Sequence, residues 1–194
     1  MSTRDRILDA AAEVMTRRGI AATTTRAIAA AAGCSEALLY KHFDDKQQIF
    51  LAVLLERMPT ISGRDDQAPA ATVAESLAEL VHRMFDLFLR SFPMAVSIFG
   101  TPELLAEHRD SVRSHGYGPE GAIGLATAQL ERDRELGLIG ASADLTAAAS
   151  VLVGFAFHQA FLAAFDGRDA PQAGAVAGAV SAVLPYLDAG DGDE

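Results

Sequence analysis

Apolar and polar residues recur along most of this chain with the period of an α-helix. Over residues 3–18 the apolar side chains fall three or four positions apart, which puts them on one face of a helix. The same pattern predicts a short helix over 25–31, another over 36–42 and a longer one over Lys46–Met58. Serine, threonine and aspartate, which favour helix starts, stand before these segments, and glycine follows the first two.

The later part of the chain predicts further helices and no strand. A long amphipathic pattern covers about 70–91, and Pro93 is expected to end that helix because proline lacks an amide hydrogen. Residues 59–69 are rich in proline, glycine and charge, which predicts a loop. The remaining predicted helices span 102–113, a glycine-interrupted segment that ends near 136, 144–165 and 172–187. We therefore expect an all-α protein of about nine helices.

Composition and charge restrict the possible cellular compartments of the protein and the kinds of partner that it can bind. The chain of 194 residues is 50% hydrophobic, and its one cysteine, Cys34, cannot form an internal disulfide. Residues 1–47 hold seven basic and six acidic side chains, so the formal net charge of −10 comes entirely from the acidic remainder. The overall acidity therefore does not forbid an N-terminal site for phosphate groups.

Two uncharged stretches, 145–165 and 170–187, are long enough to suggest a membrane hairpin. The first contains Thr146, Ser150, His158 and Gln159, and the second is mostly alanine and glycine, which favours two buried helices at an interface instead. Charged residues within the first nine positions exclude an export signal. We therefore expect a cytoplasmic protein with no membrane partner.

The segment AGCSEALLYKHF, residues 32–43, has the pattern of a helix-turn-helix unit. Two short helices are joined by a tight turn that contains Gly33, and in this unit the second helix enters the major groove of DNA. Leu39 and Phe43, four positions apart, are expected to hold the second helix against the core. The side chains left on its outer side are Glu36, Ala37, Tyr40 and Lys41.

Residues 3–50 resemble the N-terminal domain of the TetR family of transcriptional regulators. The matching elements are ILDAA in the first helix, RRG at its end, TTxRxIA, AGxS, LYxHF and the lysine at 46. The resemblance implies a three-helix DNA-binding domain over 1–47 and a ligand-binding and dimerisation domain over 48–194, connected by the helix Lys46–Met58. It covers about a quarter of the chain, and the remainder is similar to the family only in helix pattern and length.

The resemblance also implies which residues meet DNA. Contacts to the phosphate backbone are implied for Thr25, Arg26, Tyr40, His42 and Lys46, of which Arg26 sometimes contacts a base instead. Contacts to base edges are implied for Glu36, Ala37, Leu38 and Lys41. Ser35 is expected to cap the second helix of the unit, whose first amide hydrogens suit phosphate oxygens. Glu36 stands where lysine or glutamine is common, so its carboxylate either accepts from a cytosine amino group or is repelled. Leu38 replaces a usual threonine and offers only apolar contact.

Two phenylalanine stripes in the later helices could line a pocket or fill a core. They lie on the long predicted helix and on the helix over 144–165, and core packing is the more common use of such stripes. The residues predicted to line a pocket for an apolar ligand are His82, Phe85, Phe88, Phe92, Phe99, Phe157, His158 and Phe161.

The last two predicted helices carry an apolar surface that one layer of helices cannot cover. Gly174 and Gly178 would let a neighbouring backbone approach closely, so two copies are expected to pair as a four-helix interface with two-fold symmetry. The predicted interface residues are Val151, Phe155, Gly174, Gly178, Val180 and Leu184. Such a homodimer would present two recognition helices about 34 Å apart and bind a palindromic operator in double-stranded DNA.

The resemblance implies a repressor that a small apolar ligand releases from DNA. No motif of a hydrolase, metalloprotease or phosphate-binding loop is present, so the chain is not expected to be an enzyme or to hold a cofactor or metal. The alternative is a dimeric small-molecule-binding or interaction protein whose helix-turn-helix no longer binds DNA. Glu36 and the nearly neutral N-terminal part keep that alternative open.

Overall fold

The computed structural model describes residues 1–20, 22–57, 70, 72–114 and 118–187. Within these ranges the chain forms nine α-helices and no strand, which confirms the all-α prediction. The predicted loop over 59–69 lies outside the described residues. The helices are α1 Thr3–Arg18, α2 Thr25–Ala31, α3 Glu36–Leu39, α4 Lys46–Glu56, α5 Val73–Phe99, α6 Pro102–Ser114, α7 Gly121–Glu135, α8 Leu145–Asp166 and α9 Ala175–Leu187.

Helix α1 begins and ends where its sequence favours these boundaries. Ser2 and Asp5 form a capping box, in which the Ser2 hydroxyl oxygen accepts from the Asp5 amide and the Asp5 carboxylate accepts from the Ser2 amide. Ile7 and Met15 are fully buried on the inner face. Gly19 ends the helix with φ +70°, and a methyl group at this position would lie 3.1 Å from Cβ of Ser97.

Helix α3 is shorter than predicted, because it ends at Leu39 and not at His42. After Tyr40, the amides of Lys41 and His42 donate three residues back, to the Leu38 and Leu39 carbonyls, which tightens the chain into a turn. This turn brings Phe43 into the core. Helix α4 ends at Glu56 with Arg57 as its C-cap, before the predicted last residue, Met58, which lies outside the described residues.

The prediction that Pro93 ends the long helix is wrong. Helix α5 continues through it to Phe99. A proline inside a helix costs about 3 kcal/mol, because it removes a hydrogen bond and its ring meets the preceding turn. Met94 and Ile98, which continue the apolar face beyond the proline, are both buried. Burial of these side chains offsets the local penalty.

The chain divides into two compact units, and both include residues of α5. The N-terminal unit contains Met1–Met58 and Arg90–Gly118, and the other contains Pro59–Leu89 and Pro119–Glu194. In the second unit α8 packs between α7 and α9, around a core of alanine, leucine and valine. The functional boundary at residues 47 and 48 stays a prediction. Helix α9 begins three residues later than predicted, at Ala175.

Helix α8 has one packed and one exposed face. Its packed face includes Ala149, Leu152 and Ala156. In the part of the chain that the structure describes, α8 is the one helix whose length and composition would allow it to cross a membrane, and 44% of its most apolar stretch is buried within the chain.

Candidate nucleic-acid interface

The turn between α2 and α3 is closed by backbone hydrogen bonds. The Gly33 amide donates to the Ala30 carbonyl at 3.2 Å, and the Cys34 amide donates to the Ala29 carbonyl at 2.9 Å. Gly33 has φ +65°, in the left-handed region that glycine adopts without steric cost. The predicted turn glycine therefore has the conformation that reverses the chain between the two helices.

Arg6 stabilises the same turn from α1, a role that the sequence analysis missed. Its guanidinium donates to the Ala32 carbonyl at 2.7 Å and lies 3.5 Å from the Gly33 carbonyl. These carbonyls follow the end of α2, where a cation interacts favourably with the helix dipole. In the sequence Arg6 is only one basic residue on an amphipathic helix, and nothing there indicates that it contacts the turn.

Helix α3 and the turn after it present the outward side chains that the helix-turn-helix pattern predicts. Leu39 and Phe43 are buried, whereas Tyr40 has 49% of its surface exposed. The other predicted DNA-binding residues that are exposed are Arg26, Ser35, Ala37, Lys41 and His42. Leu38 is half-buried, and its amide donates to the Ser35 hydroxyl at 3.2 Å, which confirms the predicted helix cap.

Glu36 belongs to a hydrogen-bonded chain that ties the starts of α2 and α3 together. The Thr25 hydroxyl donates to Oε1 of Glu36 at 2.7 Å, and the Tyr40 hydroxyl lies 3.4 Å from the Thr25 oxygen. Three of the predicted DNA-binding residues are therefore adjacent. Because a hydroxyl has one hydrogen, Thr25 cannot donate to Glu36 and to a phosphate at the same time.

Lys46 has a partner within the chain. Its Nζ donates to the Ile20 carbonyl at 2.8 Å, which links the start of α4 to the segment after α1. Burial lowers the pKa of Lys46, and the nearby Glu107 carboxylate partly opposes that effect. One of the three hydrogens of the ammonium is used in this bond, and a phosphate contact by the others stays a prediction.

The other end of α4 is also bound to α1. Arg4 donates to both carboxylate oxygens of Glu56, at 2.7 and 2.6 Å, and this hydrogen bond lowers the pKa of the Glu56 carboxyl. Arg57 donates to Asp9 at 2.7 Å and to Asp5 at 2.8 Å. Hydrogen bonds from Ser2 and then Arg57 lower the pKa of Asp5 to about 2. The end of α4 is thus bonded to α1, and its start is bonded to the segment after α1.

The predicted pocket residues do not form one group. Phe85 is buried in the core, and Phe88 packs edge-to-face on Phe157 with ring centroids 5.3 Å apart. Phe161 and His158 are exposed on α8. In the N-terminal unit Phe92 is half-buried, and Phe99 has 73% of its surface exposed.

An open apolar groove of about 640 Å³ lies in the second unit, between the start of α5 and α9. Among the predicted pocket residues, His82 lines it, and its ring nitrogen Nδ1 lies 2.8 Å from the Ala78 carbonyl. Other lining residues come from the length of α9, from Val176 to Leu184, and from the segment before it. This volume is in the range of small-molecule sites.

The residues predicted for a dimer interface divide into exposed and buried ones. Val151 has 59% of its surface exposed, and Phe155 and Leu184 are half-buried. Added side-chain atoms at Gly174 and Gly178 would meet nothing within 4 Å, so both positions are open to an approaching backbone. Val180, however, is 5% exposed and packs in the core of its own unit, where it also lines the open groove beside α9.

No group of three or more His, Cys, Asp or Glu side chains in the described ranges is arranged to hold a metal ion. The one cysteine, Cys34, is half-buried in the turn between α2 and α3.

Comparison with known proteins assigns a family to the N-terminal region. Residues 7–53 match the family model described as bacterial regulatory proteins, tetR family. A curated relative, the HTH-type transcriptional repressor KstR2 of Mycolicibacterium smegmatis, is 34% identical over 91 residues. This alignment covers 47% of the present chain and 42% of the repressor.

Solved structures resemble nearly the whole chain in fold. The fatty acid degradation regulator FadR from Bacillus halodurans superimposes with a TM-score of 0.67 at 19% identity, covering 97% of each chain. FadR from Bacillus subtilis, solved in complex with stearoyl-CoA, has a TM-score of 0.63 at 20% identity and covers 95% of this chain and 97% of its own. At these identities the likeness establishes the fold.

Proposed function

We propose that this chain, whose residues 7–53 match the family model of bacterial regulatory proteins, tetR family, is a sequence-specific DNA-binding regulator of transcription. The observation that carries the proposal is the outward edge of α3 and its following turn. Ala37, Tyr40, Lys41 and His42 are exposed there, whereas Leu39 on the opposite side is buried. A short helix held in this way, with polar and cationic groups outside, has the form that enters a major groove.

The second element of the proposal is a homodimer formed through α8 and α9. The exposed face of α8 carries Val151, Phe157 and Phe161, and the adjoining α9 carries open glycine positions. Contiguous apolar surface of this kind is typical of a subunit interface. Two copies related by a two-fold axis would bind a palindromic operator in the cytoplasm, with half-sites about one helical turn apart.

The third element is release from DNA by a small apolar ligand, which would make the protein a repressor. The apolar groove beside α9 is large enough for such a ligand. The structure of the Bacillus subtilis relative contains stearoyl-CoA, so a fatty acyl thioester is the ligand class to test first. The ligand would act by favouring a conformation with lower operator affinity, with a typical coupling of about 1–3 kcal/mol.

A gel-shift experiment with DNA from upstream of its own gene tests the first element. The protein is expected to retard specific fragments, and raising the salt concentration should weaken the complex steeply. Lys41→Ala should reduce affinity for the specific fragments, whereas Arg134→Ala, which removes an exposed cation on α7, should leave it unchanged. Absence of specific retardation would favour the alternative, a dimeric binder whose helix-turn-helix does not bind DNA.

Ligand release is measured on the same complex. Stearoyl-CoA is expected to free the DNA at concentrations where coenzyme A alone does not, because only the thioester carries the apolar chain. If both leave the complex intact, fatty acyl thioesters are excluded as the releasing ligand.

A further inference from the structure

Glu36 is the one acidic side chain among the predicted DNA-binding residues, and its position needs an explanation. A carboxylate near the phosphates of DNA is repelled unless a donor on a base edge compensates. Glu36 is the first residue of α3, one turn before Tyr40, and is half-buried beside Thr25. The hydrogen bond from the Thr25 hydroxyl to Oε1, at 2.7 Å, fixes the carboxylate in place.

The bond from Thr25 leaves the carboxylate able to accept more. An ionised carboxylate has about four acceptor positions and no donor hydrogen. The Thr25 hydroxyl occupies one of these positions. Glu36 can therefore interact favourably only with a base edge that presents a donor.

The donors and acceptors that each base presents in the major groove determine which base suits the carboxylate. Guanine presents two acceptors and thymine presents one, so both repel a carboxylate. Adenine presents an amino donor beside the N7 acceptor, whereas cytosine presents its N4 amino group with no acceptor next to it on the same base. Cytosine is the base that a fixed carboxylate fits best.

We propose that Glu36, positioned by the Thr25 hydroxyl, selects a cytosine in each operator half-site by accepting a hydrogen bond from the N4 amino group. This inference rests on the proposed function, because it names the base that the same interface reads. Thr25 is a positioning residue in this arrangement, since its hydroxyl hydrogen is donated to Glu36 and not to a phosphate.

The test is selection of binding sites from a random DNA library with the full chain and with Glu36→Gln. The wild-type protein should enrich a palindrome with a fixed cytosine in each half-site. Glutamine carries both a donor and an acceptor, so the variant should change that position from cytosine to adenine. In the wild-type site, replacing this C·G pair by T·A should lower affinity about fivefold or more.

Two substitutions at Thr25 test the positioning role. Thr25→Val keeps the shape of the side chain but lacks the hydroxyl, and it should reduce the affinity ratio between the C·G and T·A sites to about twofold or less. Thr25→Ser keeps the hydroxyl and should retain the wild-type ratio. The ratio is the readout, because loss of a phosphate contact or of stability would weaken both sites equally.

The outcomes separate this inference from the proposed function. If the wild-type chain enriches no site, both are overturned. If it enriches a site and Glu36→Gln enriches the same site, the chain is a DNA-binding regulator and the assignment of cytosine to Glu36 is wrong. If Thr25→Val keeps the full wild-type ratio, the positioning role of Thr25 is wrong.

Discussion

The helix-turn-helix region and the α7–α9 bundle both have apolar cores, but they differ in the polar bonds that join their helices. In the first, α1 and α4 are joined by the pair of Arg4 with Glu56 and by the bonds of Arg57 to Asp5 and Asp9. In the second, the packed faces are alanine, leucine and valine. Polar bonds need particular residues at particular spacings, whereas apolar packing accepts many combinations of similar volume. The family model matches residues 7–53, within the first region, whereas the likeness over the whole chain is one of fold.

The largest expected effect tests whether apolar packing dominates the bundle. Leu130 on α7 is fully buried, so Leu130→Ala should lower the free energy of unfolding by about 2–5 kcal/mol, measured by urea titration at one protein concentration. Leu125→Ala, an exposed leucine on the same helix, should change it by about 0.5 kcal/mol or less. Equal effects of the two would contradict the packing argument.

Glycine substitutions should change the free energy of unfolding by smaller amounts, with opposite signs in the two regions. Gly19 has φ +70° and ψ 167°, a conformation open almost only to glycine, and its added methyl would press on Ser97. Gly19→Ala should therefore destabilise the protein by about 1–3 kcal/mol. Gly124→Ala, within α7 and with nothing within 4 Å, should stabilise it by about 0.5–1 kcal/mol. Urea titration of both variants measures the two changes, and a gain in stability for Gly19→Ala would show that the turn tolerates side chains.

The smallest expected effect is a pH dependence confined to the polar region. The folded-state pKa of Asp5 is about 2, below its ordinary value of 3.8, so its bonds stabilise the fold above pH 4 and are lost as the pH falls through 2. Asp5→Asn should lower the urea midpoint at pH 5, and the difference from wild type should shrink toward pH 2. The difference caused by Leu125→Ala, which involves no titrating group, should stay constant. A constant difference for Asp5→Asn would show that the carboxylate contributes nothing as a charge.

The sequence predicted the helix boundaries that neighbouring side chains determine. Helices α1 and α2 have the predicted bounds because Ser2 and Thr24 accept the first amides and Gly19 ends α1. The end of α3 was missed by three residues, because the tight turn after Leu39 depends on drawing Phe43 into the core. The continuation of α5 past Pro93 was missed for a similar reason, since tertiary burial of Met94 outweighs a local rule.

The residues of the candidate site could be predicted from the sequence, but the hydrogen bonds that join them could not. The helix-turn-helix pattern indicated that Tyr40 and Lys41 face outward, and both are exposed. The bonds of Thr25 to Glu36 and of Lys46 to the Ile20 carbonyl join residues 11 and 26 positions apart, which no local pattern specifies. Val180, predicted for the dimer interface, is almost fully buried within its own unit, and the sequence of a helix rich in small residues does not show which side packs inward.

The proline inside α5 has a structural consequence. Pro93 has no amide hydrogen to donate to the Leu89 carbonyl, so one hydrogen bond of the helix is missing there. The boundary between the two compact units falls between Leu89 and Arg90, beside the carbonyl that lacks this hydrogen bond. The hydrogen bonding of α5 is therefore interrupted at the point where the chain passes from one unit to the other.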